Sequence, residues 1–193
     1  TAMGTAIGRY FAARHPLGQA PVKVAWFPGP KGAGWVDFIE SGFRPAIAQS
    51  AAKIVSVKWG DTGFEAQLLL LEDALDEHPD LDYIIGSAVT ADAAVSLLRA
   101  NGRSGQITIL ADYFTHGTYR AIKRGKVQAA PTDSPVLQGK LAIDQAVRSL
   151  EGSLSMIHAG PAIQIVDQAN VSTIDISESL APAWFKPTFE VKQ

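Results

Sequence analysis

The chain has 193 residues, 47% of them hydrophobic and 19% charged, with a formal net charge of −2, four histidines and no cysteine. Roughly 100–200 residues per domain is usual, so this length suits one large globular domain or one lobe with an appendage. The absence of a lysine–arginine cluster argues against nucleic acid as the main partner. No run of about 18 apolar residues could form a membrane helix, and without cysteine there are no disulfides or thiolate metal sites.

Residues 1–16 carry no charged leader and no methionine at position 1. Met3, Ile7, Tyr10 and Phe11 lie on one helical stripe, so the chain is expected to begin inside a folded element, with a helix over 3–14. The stretch KVAWFPGPKGAGW (23–35) follows. Its apolar run predicts a strand over 22–27, buried on both faces and ended by Pro28–Gly29–Pro30, which interrupt a sheet ladder. Gly32, Ala33 and Gly34 keep the backbone bare before Trp35 opens a helix, and a large ring at a strand-to-helix turn is well placed to meet a ligand. The glycines at 29, 32 and 34 fit neither phosphate-binding spacing, and two prolines remove N–H donors. A plain tight turn is the simpler alternative.

The next helix is expected over 35–50, kinked or shortened by Gly42 and Pro45. KIVSVKW predicts a strand over 53–59, closed by Gly60–Asp61–Thr62–Gly63. Asp61 or Thr62 is expected to cap a helix over 64–77 that stops at His78–Pro79. A third strand over 81–86 leads through Ser87 to Thr90, the expected cap of a helix over 91–100 ending at Asn101–Gly102. A fourth strand over 106–111 runs into Asp112–Tyr113. A helix over 118–124 and a fifth strand over 127–130 complete an alternation that predicts an α/β, doubly wound parallel sheet.

After Ala130 the character changes. PTDSP is a stiff crossing into a helix over 135–151, with Pro135 in its first turn. Val136, Leu137, Leu141, Ile143, Val147 and Leu150 give that helix apolar faces that need two neighbours. A strand over 163–167 and an irregular tail follow.

The phrases AWFPGPKGAGW, VKWGDTG, HPDLDYIIGSAVTADAAVSLLR and YRAIKRGKVQAAPTDSPVLQGKLAIDQAVRSLEG, in this order, resemble the second half of a type I periplasmic binding protein. FPGPKGAGW, GSAVTADAA and AAPTDSPVLQG resemble in particular the members that report trimethylamine N-oxide (TMAO) to a membrane sensor histidine kinase. The resemblance implies a two-lobe fold with ligand in the cleft. Residues 1–130 would be the C-terminal ligand-binding lobe, 131–160 a hinge crossing and a helix of the N-terminal lobe, and 161–193 a return crossing, last strand and tail. Part of the other lobe would then be missing. The implied location is the periplasm. The implied partners are a small-molecule ligand, TMAO, and the periplasmic domain of a sensor kinase, with no cofactor, nucleic acid or membrane insertion.

Five residues form the candidate ligand set. Tyr113 follows the fourth strand, where sugar-binding members typically carry an acidic residue; its simpler role is to pack on Phe114. Asp112 beside it is counted with the set. Trp35 is expected at the cleft or its rim, whereas Trp26 is expected in the core. Trp59 faces the cleft or lies as a lid on the helix that follows it. Asp133 falls where a hinge residue touches ligand, or acts with Ser134 as a cap of helix 135–151. Ala88 and Val89 are small and apolar where a sugar binder would show amides or carboxylates.

Such an aromatic, donor-poor cleft suits a methylated amine oxide. Methyl groups around positive nitrogen gain ~0.5–2 kcal/mol per cation–π contact, and the oxygen needs only one or two donors. A sugar would leave hydroxyls unpaired, at ~1–3 kcal/mol each. Catalysis has little support. The four histidines are scattered without H-E-x-x-H spacing, Ser134 has no G-x-S-x-G elbow, and Glu72–Asp73 and Asp76–Glu77 read as a solvated helix face. The alternatives are a transport-linked binding protein for a sugar or other small solute, and the effector domain of a repressor.

Overall fold

The computed structural model describes residues 1–188. The elements are α1 (Ala2–Arg14), β1 (Val22–Gly29), α2 (Gly34–Ile47), β2 (Ala52–Trp59), α3 (Phe64–Glu77), β3 (Tyr83–Gly86), α4 (Ala88–Ala100), β4 (Thr108–Ala111), α5 (His116–Lys123), β5 (Ala129–Thr132), α6 (Pro135–Leu150) and β6 (Gln164–Asp167). One six-stranded sheet has the order β2-β1-β3-β4-β5-β6. The first five strands pair in parallel, and β6 pairs antiparallel with β5. The α/β alternation is therefore present as expected, with an antiparallel edge added.

Several local expectations are corrected. β1 continues through Pro28 to Gly29, because the ladder to β2 is irregular between Trp26 and Gly29 and demands no N–H from the proline. α2 passes Gly42 and Pro45 but ends at Ile47, short of residue 50, in keeping with the expected shortening. Neither Asp61 nor Thr62 caps α3; its cap is Gly63, without a side-chain hydrogen bond. Ser87 caps α4, its hydroxyl accepting from the Thr90 N–H at 3.1 Å, so that helix starts three residues before the expected one. The fifth strand lies at Ala129–Thr132 and includes Pro131.

The chain forms two compact units. The first comprises Thr1–Thr132 and Ile163–Ile174, and the second Asp133–Ala162 and Asp175–Gln193. In the first unit the strand order reverses at β1: the chain leaves it toward β2 and returns past it to β3. Right-handed crossovers then put α2 and α3 on opposite faces. Ile7 and Phe11 of α1 and Phe43 and Ile47 of α2 are buried with Trp26, Ile85 and Leu110 of the strands. The two helices cross at glycines: a Cβ at Gly4 would lie 2.1 Å from the Ile39 carbonyl oxygen, and one at Gly42 would lie 2.1 Å from the Thr1 oxygen. α1 is also held to β6, where the Tyr10 hydroxyl donates to Asp167 at 3.0 Å and Arg14 pairs with the same carboxylate at 3.3 Å.

In the second unit α6 begins with Pro135 after Ser134, whose backbone is left-handed at φ 52. No residue of α6 is fully buried, and Ile143, Val147 and Leu150 are exposed. The Leu137 N–H donates to the Glu178 carbonyl at 3.0 Å, and Gln145 donates to the Met156 carbonyl at 2.6 Å. Among the described residues no helix is long and apolar enough to cross a membrane.

Candidate ligand-binding site

In open α/β sheets ligands gather beyond the carboxyl ends of the strands, at the point where strand order reverses. Here that point is the β1–β3 boundary, and four of the five candidate residues of the sequence stand near it or on neighbouring strand ends.

The end of β1 is shaped by Gly29. Its φ is +110, and a Cβ there would come within 2.6 Å of the Trp35 ring. Glycine is thus required both by backbone conformation and by the indole lying against it. Gly29 pairs with Trp59 of β2, and its carbonyl accepts from the Gly60 N–H at 3.1 Å. This brings Trp35 and Trp59 to one strand-end turn. Trp35 remains 45% exposed. Trp59 is half-buried and meets Trp26 edge-on at 6.1 Å between centroids. Trp26 is the core residue expected, packed on Phe43 with the Arg44 guanidinium 4.6 Å from its ring centre.

The end of β3 is fixed by a buried polar chain. The Thr90 hydroxyl donates to Gln67 Oε1 at 2.7 Å, and Gln67 Nε2 donates to the Asp61 carbonyl at 2.6 Å. The chain ties the first turn of α4 to α3 and the β2–α3 turn. A satisfied buried network of this kind holds a platform rigid. Gln67 has no sequence signature that foretells it, since its partners are distant in the chain. Ala88 and Val89 begin α4 on this platform.

The end of β4 carries Asp112 and Tyr113. The Asp112 N–H donates to the Gly86 carbonyl at 2.8 Å, fixing it beside the end of β3. Its side chain is only 3% exposed, and Oδ2 is buried with no hydrogen-bond partner among the described residues. Burial pushes the carboxyl up to about 7, opposed only by its own backbone N–H. Tyr113 is 39% exposed. Phe114, its expected packing partner in the simpler account, is buried edge-on against Tyr119 at 6.2 Å. Thr115 and Thr118 then form a capping box that opens α5.

Asp133, the fifth candidate, belongs to the second unit. Its carbonyl accepts from Gln138 Nε2 at 2.7 Å, and its Oδ1 is buried without a partner among the described residues. Ser134 occupies the cap position of α6 and makes no side-chain cap hydrogen bond.

The histidines stay apart. His15 bonds Tyr83 at 2.8 Å, His78 follows α3, and His116 opens α5. No three His, Asp or Glu side chains among the described residues could hold a metal ion together. Glu72, Asp73, Asp76 and Glu77 are exposed, with Glu77 paired to Lys58 at 2.6 Å.

Comparison with known proteins bears on the fold and the family. The chain is 36% identical over 187 residues to the periplasmic protein TorT of Escherichia coli (strain K12), covering 97% of this chain and 54% of that protein. It therefore spans about half the length of the curated relatives it matches. Among solved structures it is similar to an ABC transporter solute-binding protein from Bradyrhizobium sp. BTAi1 with bound bis-tris, at 49% identity and a TM-score of 0.91, covering 97% of this chain and 56% of that one. It is also similar to TorT in its complex with the TorS sensor domain in the presence of TMAO, at 36% identity and a TM-score of 0.88, covering 97% and 62%. A family model described as periplasmic binding proteins and sugar-binding domain of the LacI family matches residues 1–181. The chain belongs to that family of binding proteins.

Proposed function

We propose that this chain supplies the C-terminal ligand-binding lobe of a periplasmic protein that senses TMAO and signals by docking on the periplasmic domain of a membrane sensor histidine kinase. The observation that carries this reading is the character of the strand ends. Trp35 and Tyr113 are large, partly exposed aromatic side chains there, while Ala88 and Val89 offer no side-chain donors. Methyl groups on a positive nitrogen match such rings. The ligand set is Tyr113, Trp35, Trp59, Asp112 and Asp133. Residues 1–130 form the lobe, 131–160 the hinge crossing and a helix that packs in the other lobe, and 161–193 the return crossing and tail. The likeness to TorT in complex with TorS supports the sensing role and the kinase partner.

A second reading is a solute-binding protein linked to transport. It is favoured by the relative from Bradyrhizobium, which is described as an ABC transporter solute-binding protein and holds bis-tris. Bis-tris is a tertiary amine, so both readings place three carbon substituents around one nitrogen.

Titration calorimetry of the complete protein with TMAO, bis-tris and D-ribose separates them. TMAO binding, together with co-elution of a sensor domain, is the expected result. Binding of ribose without TMAO would overturn the sensing role in favour of sugar transport.

A further inference from the structure

A cavity opens at the other end of the sheet from Asp112 and Tyr113, where β4 and β5 begin. The registered pairing of these two strands is the single pair Leu110–Ala129. Just before it, the Lys126 and Val127 N–H groups both donate back to the Ala121 carbonyl of α5, at 2.8 and 3.4 Å, rather than to β4. The segment 125–127 is thereby drawn toward α5, and a cavity of about 260 Å³ is lined by it, by the start of β4 and by α4. The floor is apolar: Leu98, Ile107, Ile109 and Val127 line it and are buried. The rim is polar and open to solvent, with Ser104, Lys126 and Gln168 exposed.

The polar lining favours an anion. Lys126 forms no ion pair among the described residues, and no aspartate or glutamate lines the cavity. Gln128, half-buried in the wall, accepts at Oε1 from the Tyr83 hydroxyl at 3.4 Å. That hydroxyl is itself bonded to His15 Nε2 at 2.8 Å. With its oxygen turned to Tyr83, the Gln128 amide keeps two N–H donors unpaired among the described residues. One cation and an amide match the two oxygens of a carboxylate, and the aliphatic floor matches a short branched chain. A phosphate would bring more charge than one lysine neutralises and would leave the floor uncovered. Ligand pockets generally run to ~300–1,000 Å³, so this one suits a molecule of only a few carbon atoms.

We propose that this cavity is a second ligand site of the lobe, for a short branched-chain carboxylate. The methyl groups rest on Leu98, Ile107 and Val127, one carboxylate oxygen pairs with Lys126, and the other accepts from Gln128 Nε2. The site goes beyond the preceding reading and does not depend on it, because none of the five candidate residues at the strand ends or the hinge lines this cavity.

The test is an amide NMR titration of the complete protein with 3-methylbutanoate at constant ionic strength. The probes 3-methylbutan-1-ol and 3-methylbutylammonium carry the same chain with a neutral and a cationic head. For a ligand this small the dissociation constant should be on the order of 1 mM. The carboxylate should shift amides within 104–108 and 125–128 and bind about tenfold more tightly than the alcohol, while the ammonium should leave those amides unmoved. Lys126→Gln changes an exposed side chain and keeps the backbone bond to Ala121. It should weaken the carboxylate about tenfold and leave the alcohol unchanged. Equal affinity for the three probes, or wild-type carboxylate affinity in Lys126→Gln, overturns the proposal. So do shifts confined to Trp35, Asp112 and Tyr113, or no shift at up to about 10 mM carboxylate. TMAO added to the same sample reports on the strand ends separately, so failure of either site is read without the other.

Discussion

The crossing of α1 and α2 gives the sharpest test of the packing. A methyl group added at Gly4 would meet the Ile39 carbonyl oxygen at 2.1 Å, its carbon at 2.9 Å and the Phe43 nitrogen at 2.9 Å. All three are backbone atoms, so no side-chain rotation relieves the contact. The helices would have to separate by about 1 Å, and a gap of that size forfeits a quarter to a half of the dispersion energy across it. Overpacking of this kind costs ~1–3 kcal/mol, occasionally more. The better helix propensity of alanine returns about 1 kcal/mol. Because the clash is with backbone, the upper end of that overpacking range applies, and Gly4→Ala should destabilise by roughly 2 kcal/mol. Gly34→Ala is the control, because nothing lies within 4 Å of a Cβ there, and it should change stability by less than about 0.5 kcal/mol. Urea unfolding followed by tryptophan fluorescence is a direct assay, since Trp26 is buried 4.9 Å from Phe43 of α2. Because α2 also carries Trp35, the variant should weaken ligand binding in the complete protein. A Gly4→Ala protein as stable as wild type would refute the packing described here.

Asp112→Asn should be more stable than wild type above pH 7, by at most about 4 kcal/mol at ~1.4 kcal/mol per pH unit. The folded-state carboxyl is raised to about 7 from 3.8, so its cost is absent below about pH 4 and grows as pH rises to 7; equal urea midpoint differences at pH 5 and pH 8 would contradict this. In the complete protein Tyr113→Phe should cost about 0.5–1.5 kcal/mol of TMAO binding and Tyr113→Ala roughly 2–4 kcal/mol, both read by calorimetry. Unchanged affinity in the alanine variant would remove Tyr113 from the site. Amide exchange should be slow in β1 and β3, whose residues are buried from Val24 to Gly29 and from Tyr83 to Gly86, and near-random exchange there would contradict a folded parallel sheet.

The parallel sheet was legible because each of its strands is an apolar run closed by glycine, proline or a helix cap. Strand ends were less legible. Pro28 reads as a stop, yet β1 passes it because the ladder is irregular at that point. Thr90 reads as a cap from its own position, but Ser87 takes the role and Thr90 turns its hydroxyl to Gln67. That choice depends on a residue 23 positions away. The antiparallel pairing of β6 is equally non-local, since a four-residue strand does not name its partner. Trp35 and Tyr113 stand out in the sequence as large rings placed just after strand ends. The burial of Asp112 does not, because a carboxylate after a strand reads as solvated, and only the packed tertiary structure reveals the opposite.

The bond from Tyr10 to Asp167 spans 157 positions. During synthesis α1 and the first five strands emerge well before β6, so β5 waits with one edge unpaired while Tyr10 and Arg14 wait for their carboxylate. An open edge and a half-secured helix are the features that chaperones bind and that aggregation exploits. Nascent chains halted before residue 164 should therefore stay protease-sensitive, and closure of the sheet by β6 should mark the moment the lobe becomes resistant.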